Sequence, residues 1–412
     1  MIPKSQILDI SKQQELRPTT IEKDYVLGWL LFAIAQHERL RRWIFKGGTC
    51  LKKCFFETYR FSEDLDFTVP EGEALDADTI NSGLVDVAQW IEEEAGIQFP
   101  RDGIDVEMYK NPRGNDSFQA RVTYIGPLEL PRHSLQRVKF DLTQDELVVD
   151  EVDYREISHP YQDEPEISPK ICCYSVNEIL AEKTRALYER EGRTRDIYDI
   201  VHLNRTFRQD IDARKTSEIL EKKFAFKGLP KPSVQGVVDR IDIDTLRANW
   251  THQLGHQLPV LPPVDGFFEE LKDSIAWWLE PEAAAEPLGH VSEKPDEEPV
   301  PRQLFPQRIQ RIGRGERVGR ISYEVSYRHG AMERIRYAAR NRLCARVIYH
   351  GVPRTVEPYS LRYPKTGNTL LYVFEQLRGS SPSMSIKEFK VDEIESASVT
   401  DQSFSPRYVV EL

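Results

Sequence analysis

The sequence predicts a mixed α/β (α+β) fold: a sheet-bearing first half, a helical continuation, and a small β-rich module at the C-terminal end. Three observations predict it. Leu65, Phe67 and Val69 alternate with Asp64, Asp66 and Thr68, the period of a strand with one buried face. Residues 176–191 and 197–207 place apolar side chains at helical spacing. Short alternating runs return after a stretch rich in proline and glutamate at 281–306.

The totals bound what the chain can be. Its 412 residues imply two or three domains. Hydrophobic residues at 40% and aromatics at 10% supply real cores, which excludes a disordered chain. No run of about 18 apolar residues is present, and Met1 to Gln6 lack a signal-peptide pattern. A soluble, cytoplasmic protein with no membrane partner is expected. The five cysteines are odd in number and scattered, a poor disulfide framework. Cys50 and Cys54 stand one helical turn apart and invite a zinc reading. No second pair with ligand spacing follows, so buried structural thiols are expected. Charge is uneven: residues 301–412 carry 19 Lys and Arg against 11 Asp and Glu, about +8, which leaves about −19 for the first 300. A basic C-terminal module suggests contact with nucleic acid.

Taken in order, residues 1–40 read as helical, with Thr19 or Thr20 as N-cap and Glu22 and Asp24 near the positive helix end. Trp43-Ile-Phe45 reads as a strand that turns at Lys46-Gly47-Gly48. Thr49 to Phe56 reads as a helix, and the Asp64 segment as a strand. Ala74 to Ala95 reads as a helix, followed by strands at 104–108, 118–125 and 138–142. Helices continue from 176 to 280, with a break at Lys227 to Pro232 and Trp277-Trp278 closing an apolar face. Residues 281–306 read as a linker. Ala331 to Leu343 reads as a basic helix, and strands follow at 345–349, 355–359, 370–374 and 388–391. The domains expected are a core at 1–210, a helical extension at 211–280, a linker at 281–306 and a β module at 307–412.

The chemistry concentrates in Lys46-Gly47-Gly48-Thr49 and Arg60-Phe61-Ser62-Glu63-Asp64-Leu65-Asp66-Phe67. On a strand, residues i and i+2 share a side, so Asp64 and Asp66 aim two carboxylates at one point. A cation relieves their repulsion, and hard oxygen donors suit Mg²⁺, with Mn²⁺ as the alternative. The glycines let backbone N–H groups approach phosphate oxygens. An Asp-x-Asp alone would serve equally to keep an edge strand soluble. The Gly-Gly turn in this order, about twenty residues before it, favours a metal–phosphate site.

This combination resembles the polymerase-β-like nucleotidyltransferases and, more narrowly, the AbiEii/AbiGii abortive-infection toxin family. The family pattern is carried by Lys46 to Thr49 and Arg60 to Phe67, and Glu22-Lys23-Asp24-Tyr25 is similar to its N-terminal signature. The resemblance covers about residues 10–250. It implies Asp64, Asp66 and, from Arg137-Val-Lys-Phe-Asp141, Asp141 as metal ligands and catalytic carboxylates, with Lys139 on the same side. A second stretch runs from Asn177 through Glu182-Lys183-Thr184-Arg185 to Arg195-Asp196 and Asp199. There the resemblance implies Lys183 in NTP binding and catalysis and an essential acidic role for Asp196. Arg185 or Arg190 would grip phosphate in a fork, and Asp199 would cap the next helix or orient Arg195. The nucleotide would meet Lys46, Gly47, Gly48, Thr49, Arg60, Ser62, Lys183 and Arg185. Without the resemblance, this stretch reads as a salt-bridged solvent face.

The C-terminal module resembles a WYL domain, a small SH3/Sm-like barrel, through Ile335 to Ala339, Val347 to Tyr349, Arg354 to Leu361, Phe389 to Ile394 and Phe404. The naming tripeptide is replaced by Leu371-Tyr372-Val373. Arg340, Arg342, Arg346, Arg354 and Arg362 offer charge for phosphates, and Tyr349, Tyr359 or Tyr372 offer either a stacking face or core. The expectation is a Mg²⁺-dependent nucleotidyltransferase acting from an NTP on an acceptor, foremost the 3′ end of tRNA. It would serve as the toxin of a toxin–antitoxin or phage-defence pair with a separate antitoxin. The rivals are transfer to a protein hydroxyl and an inactive nucleic-acid-binding regulator.

Overall fold

The computed structural model describes residues 1–56, 60–111, 113–190, 193–280, 288–291, 297–299, 323–364 and 368–412. The chain opens with α1 (Lys4–Gln14) and α2 (Pro18–Gln36). Helix α2 is apolar nearly all round and buried over most of its length, as an interior helix must be. It starts at Pro18, whose fixed φ suits a first helical position. Thr19 and Thr20 therefore lie inside the helix rather than at its N-cap. Glu22 and Asp24 are buried in specific bonds: Glu22 accepts the Leu128 N–H at 2.6 Å, and Asp24 pairs with Lys53 at 2.9 Å.

Next come β1 (Ile44–Lys46) and α3 (Gly47–Cys50), which runs on as a π-helical turn over Leu51–Phe55. Then follow β2 (Asp64–Thr68), α4 (Ala77–Ala95), β3 (Ile104–Lys110), β4 (Asp116–Thr123) and β5 (Arg137–Thr143). Two short strands, β6 (Asp153–Glu156) and β7 (Lys170–Cys173), complete a seven-stranded sheet in the order β3-β4-β5-β2-β1-β7-β6. Pairing is parallel at β2–β5 and β1–β7 and antiparallel elsewhere. The sequence reading missed β6 and β7, which are too short to show a period. Leu65, Phe67, Phe140 and Leu142 are fully buried, so the opposite side of β2 and β5 is left for the acids.

The helical half holds α5 (Val176–Glu189), α6 (Thr194–Phe207), α7 (Ala213–Phe226), α8 (Val234–Val238), α9 (Ile243–Leu254) and α10 (Val264–Leu279). Ser175 caps α5 by accepting the Glu178 N–H. Trp278 is fully buried, as expected of the apolar face it closes.

Most of the expected linker lies outside the described residues. One piece of it, β8 (Glu297–Pro299), is not linker-like and pairs with β10. The remaining elements are α11 (Tyr323–Arg340), β9 (Leu343–Tyr349), β10 (Val352–Pro364), β11 (Leu370–Arg378), β12 (Ser381–Lys390) and β13 (Ile394–Ser403). Their sheet runs β12-β11-β10-β9-β13. Among the described residues β12 and β13 do not pair, so the sheet is open where an SH3/Sm-like barrel would close. Tyr359, Leu371, Tyr372 and Val373 are core side chains. Tyr349 stacks between His350 and Phe389. Of the five arginines expected to face phosphates, only Arg346 is exposed. Arg354 pairs with buried Glu375 at 2.6 Å, and Arg362 pairs with Glu411.

Helix α11 docks on α6. The Tyr198 hydroxyl and His202 Nε2 both donate to Asn341 Oδ1, at 3.1 and 3.2 Å. Arg205 donates to the Arg340 carbonyl at 2.8 Å. Burial holds His202 well below its usual range, so the ring is neutral and Nε2 carries its proton. A single apolar cluster runs from Ile2 through the large sheet and the helices to Ile335, Leu343 and Phe389.

Candidate active site

The strand register assembles a row of polar side chains across the sheet. Lys46 of β1 lies opposite Asp66 of β2, Asp66 opposite Asp141 of β5, and Asp141 opposite Gln119 of β4. One step along, Asp64 lies opposite Lys139. Adjacent strands sit about 4.8 Å apart, so the Asp66 and Asp141 carboxylates are neighbours. Among the described residues, neither Asp64 nor Asp66 has a cation or hydrogen-bond donor on its carboxylate. Burial, with the charges of Asp141 and Asp64, raises Asp66 to about 6; burial, with Asp141 and Glu63, raises Asp64 against the pull of Lys139 and Lys23. Asp141 is tied to Lys139 at 2.8 Å and accepts from Gln119 at 3.3 Å. The three carboxylates do not bring three oxygens within 4.8 Å of one another, since only cysteines form such a group among the described residues.

The glycine turn lies against this row. Gly47 has φ +80°, and a Cβ there would stand 2.2 Å from Asp66 Oδ2. A Cβ on Gly48 would stand 2.6 Å from Arg60 Nη2 and 3.1 Å from Ser62 Oγ. The backbone thus passes between Asp66 on one side and Arg60 and Ser62 on the other, a close approach that only glycine allows. Thr49 is buried and its hydroxyl donates to the Asp64 carbonyl, which pins the turn to β2.

Two buried ion-pair networks brace the site. Lys46 pairs with Glu182 of α5 at 3.2 Å. Burial opposes the Lys46 charge, but the Glu182, Glu146 and Asp66 carboxylates outweigh it and raise its pKa. Asp199, fully buried on α6, accepts a fork from Arg60 (Nε and Nη2, both 2.7 Å) and meets Lys183 at 2.6 Å. Burial works against the Asp199 charge, yet Arg60 and Lys183 hold the carboxyl far below its usual range. Lys183 also reaches Asp196 at 3.2 Å. Asp199 therefore orients Arg60 and Lys183, not Arg195.

The structure brings together Lys46, Gly47, Gly48, Arg60, Ser62, Asp64, Asp66, Asp141, Lys183 and Asp196. It turns Arg185 elsewhere: that guanidinium is 6% exposed and occupied by Glu146, at 3.1 Å, and by Glu189. One cation that sequence reasoning left in a supporting role stands out. Arg195 is half-buried, forms no ion pair among the described residues, and its buried Nε lacks a partner. Burial and the Arg60 charge lower its pKa, while Asp64 and Glu63 draw on it from the site. Its place beside Asp196 on a charged helix start gave no signal that it would be left without an ion pair.

The arrangement has the parts of a phosphoryl-transfer site: unpaired carboxylates, a glycine cradle and adjacent cations. The model of the AbiEii nucleotidyl transferase toxin of type IV toxin–antitoxin systems matches residues 29–280, which include every residue of the site. Among solved structures the chain is similar to the nucleotidyltransferase toxin MenT4 from Mycobacterium tuberculosis H37Rv. That match has 19% identity and a TM-score of 0.45, and covers 68% of this chain and 90% of that one. No curated protein matches the chain. With more than half of its length matched by the family model, the chain belongs to the AbiEii family of nucleotidyltransferase toxins of type IV toxin–antitoxin systems.

Proposed function

We propose that the protein transfers a nucleotide from an NTP to an RNA hydroxyl, foremost the 3′ end of tRNA, with Mg²⁺ held by Asp64, Asp66 and Asp141. The observation that carries this reading is the pair of unpartnered carboxylates, Asp64 and Asp66, packed against the Gly47–Gly48 turn. Half-buried, mutually repelling carboxylates without cations fit a hard divalent ion. When bound, the ion would neutralise phosphate charge and polarise the α-phosphorus. Asp141 would leave Lys139 to complete the donor set.

The chain's own residues supply the rest. The Gly47–Gly48 backbone and Ser62 receive phosphate oxygens. Lys183 and Arg195 face the triphosphate, and Lys46 balances the charge beside Asp66. Arg60 acts as a positioning residue through Asp199, and Arg185 as a brace on α5. The acceptor oxygen attacks the α-phosphorus, the bond to the bridging oxygen breaks, and pyrophosphate leaves. The hydroxyl proton passes to a carboxylate beside it, Asp141 by position.

The tRNA acceptor, a cognate antitoxin and a cytoplasmic site of action rest on the family resemblance. So does a WYL-like role for residues 307–412, where Arg346, Arg378 and Arg407 are exposed among the described residues. The division into 1–210, 211–280, 281–306 and 307–412 stands as part of this proposal. The test is incubation of the full chain with total RNA and each labelled NTP in Mg²⁺, with Asp66→Asn as control. Label should move to small RNA with one NTP preferred, and the variant should give none. Label on protein instead would favour the protein-hydroxyl reading. Equal toxicity of wild type and variant in cells would favour the non-catalytic regulator.

A further inference from the structure

One helical turn beyond Gly47 and Gly48, three sulfurs meet. Cys50 ends α3, Cys54 lies in the π-helical turn, and Cys173 ends β7 opposite Phe45 of β1. All three are 0% exposed, and their Sγ atoms lie within 4.8 Å of one another. The sequence showed the first two and lacked further ligands at zinc spacing; the third arrives from a strand whose existence it did not reveal.

Buried thiols are ordinary core material when they pack singly. Here two features go beyond packing. Metal–sulfur bonds of about 2.3 Å arranged in a trigonal plane place sulfurs about 4 Å apart, so this group needs little movement to close on one ion. π-Helical turns are rare and concentrate at functional sites, and this one spaces Cys54 from Cys50. Arg155 and Lys53 lie close by: the Arg155 guanidinium stands 4.0 Å from the centre of the Phe55 ring, next in sequence to Cys54, and Lys53 is paired with Asp24.

The donor set selects the ion. No His, Asp or Glu among the described residues joins the three sulfurs. Structural zinc takes four ligands, whereas soft thiolates alone suit a monovalent d¹⁰ cation. We propose that Cys50, Cys54 and Cys173 form a three-thiolate site for Cu(I), which fastens α3 to β7. Because α3 begins with the glycine turn, an ion there would stiffen the floor of the phosphate cradle. The proposal does not depend on the identity of the NTP or acceptor.

The test uses the full chain, reduced and free of oxygen, titrated with Cu(I) against a competing bicinchoninate or bathocuproine chelator. Because the sulfurs are sealed, a second arm refolds the chain from urea with Cu(I) present. We expect one Cu(I) per chain, an ultraviolet thiolate-to-copper band and a rise in Tm. Cys50→Ala, Cys54→Ala and Cys173→Ala should each lose the band while keeping the wild-type circular dichroism. Cys172→Ser and Cys344→Ser should keep it. Three outcomes would each overturn the proposal: no copper retained in either arm, a band that survives Cys54→Ala and Cys173→Ala, or zinc held in preference to Cu(I) at the same three sulfurs.

Discussion

Asp66 sits where a negative charge is least stable. Its carboxyl is raised from an ordinary 3.8 to about 6, so between those values the native chain holds a proton that the unfolded chain releases. Stability therefore falls as pH rises through that window, and the whole deficit is present above 6. Two units correspond to roughly 3 kcal/mol at most, and partial solvent contact reduces this to about 1–2 kcal/mol. Asp66→Asn should stabilise the chain by that amount in EDTA at pH 7.5 and by nearly nothing at pH 4, while abolishing transfer. Urea denaturation at the two pH values checks it; equal midpoints at pH 7.5 would count against the charge being unpaired. The cations divide in the same way. Arg60→Ala takes the guanidinium fork from buried Asp199 and should cost about 3 kcal/mol. Arg195→Ala removes no ion pair, so Tm should hold while KM for the NTP rises about tenfold. Thermal melts and initial rates on both variants separate a brace from a ligand-facing charge.

At the scale of elements, the glycine turn is the most constrained piece of the site. Gly47→Ala would meet Asp66 Oδ2 and an unfavourable φ together. It should lower stability by about 2 kcal/mol and transfer by at least about 100-fold, read from the same melts and rates. This turn and its strand were legible because their chemistry is local: two glycines, an alternating strand and two acids lie within some twenty residues. The register that sets Asp66 beside Asp141, and Lys46 beside Asp66, was legible only as a resemblance, because strand pairing is a long-range property. Strands β6 and β7 were missed, and with them the convergence of Cys173 on Cys50 and Cys54. Arg185 looked available because helix spacing shows Glu189 but not Glu146, which reaches it from the loop after β5. Four of the five arginines expected to face phosphates are not exposed, for a related reason. Composition counts Arg354 and Arg362 as surface charge, while the fold buries each against a glutamate.

For the whole molecule, proline and glutamate content set residues 281–306 apart as a linker to a separate β module, and packing joins that module to the core. Ile335, Ala338 and Leu343 are fully buried and share one apolar cluster with the helices around Tyr198 and Phe267. Asn341 receives hydrogen bonds from both Tyr198 and His202. These come from the same helix that carries Asp196 and Asp199. Burial of each large apolar side chain contributes about 1.5–3 kcal/mol. A chain ending at residue 280 should therefore lose roughly 5 kcal/mol, bind a hydrophobic dye and melt well below the full chain. Asn341→Ala makes the finer test, since it leaves the apolar contacts in place. Two bonds to one amide oxygen should be worth about 1–3 kcal/mol. If α6 transmits the change, transfer should fall further than stability alone explains, because Lys183 and Arg60 both hang on Asp199, which follows Tyr198 and lies one turn before His202. A truncated chain with an unchanged melting temperature and full transfer would show that the module only rides on the core.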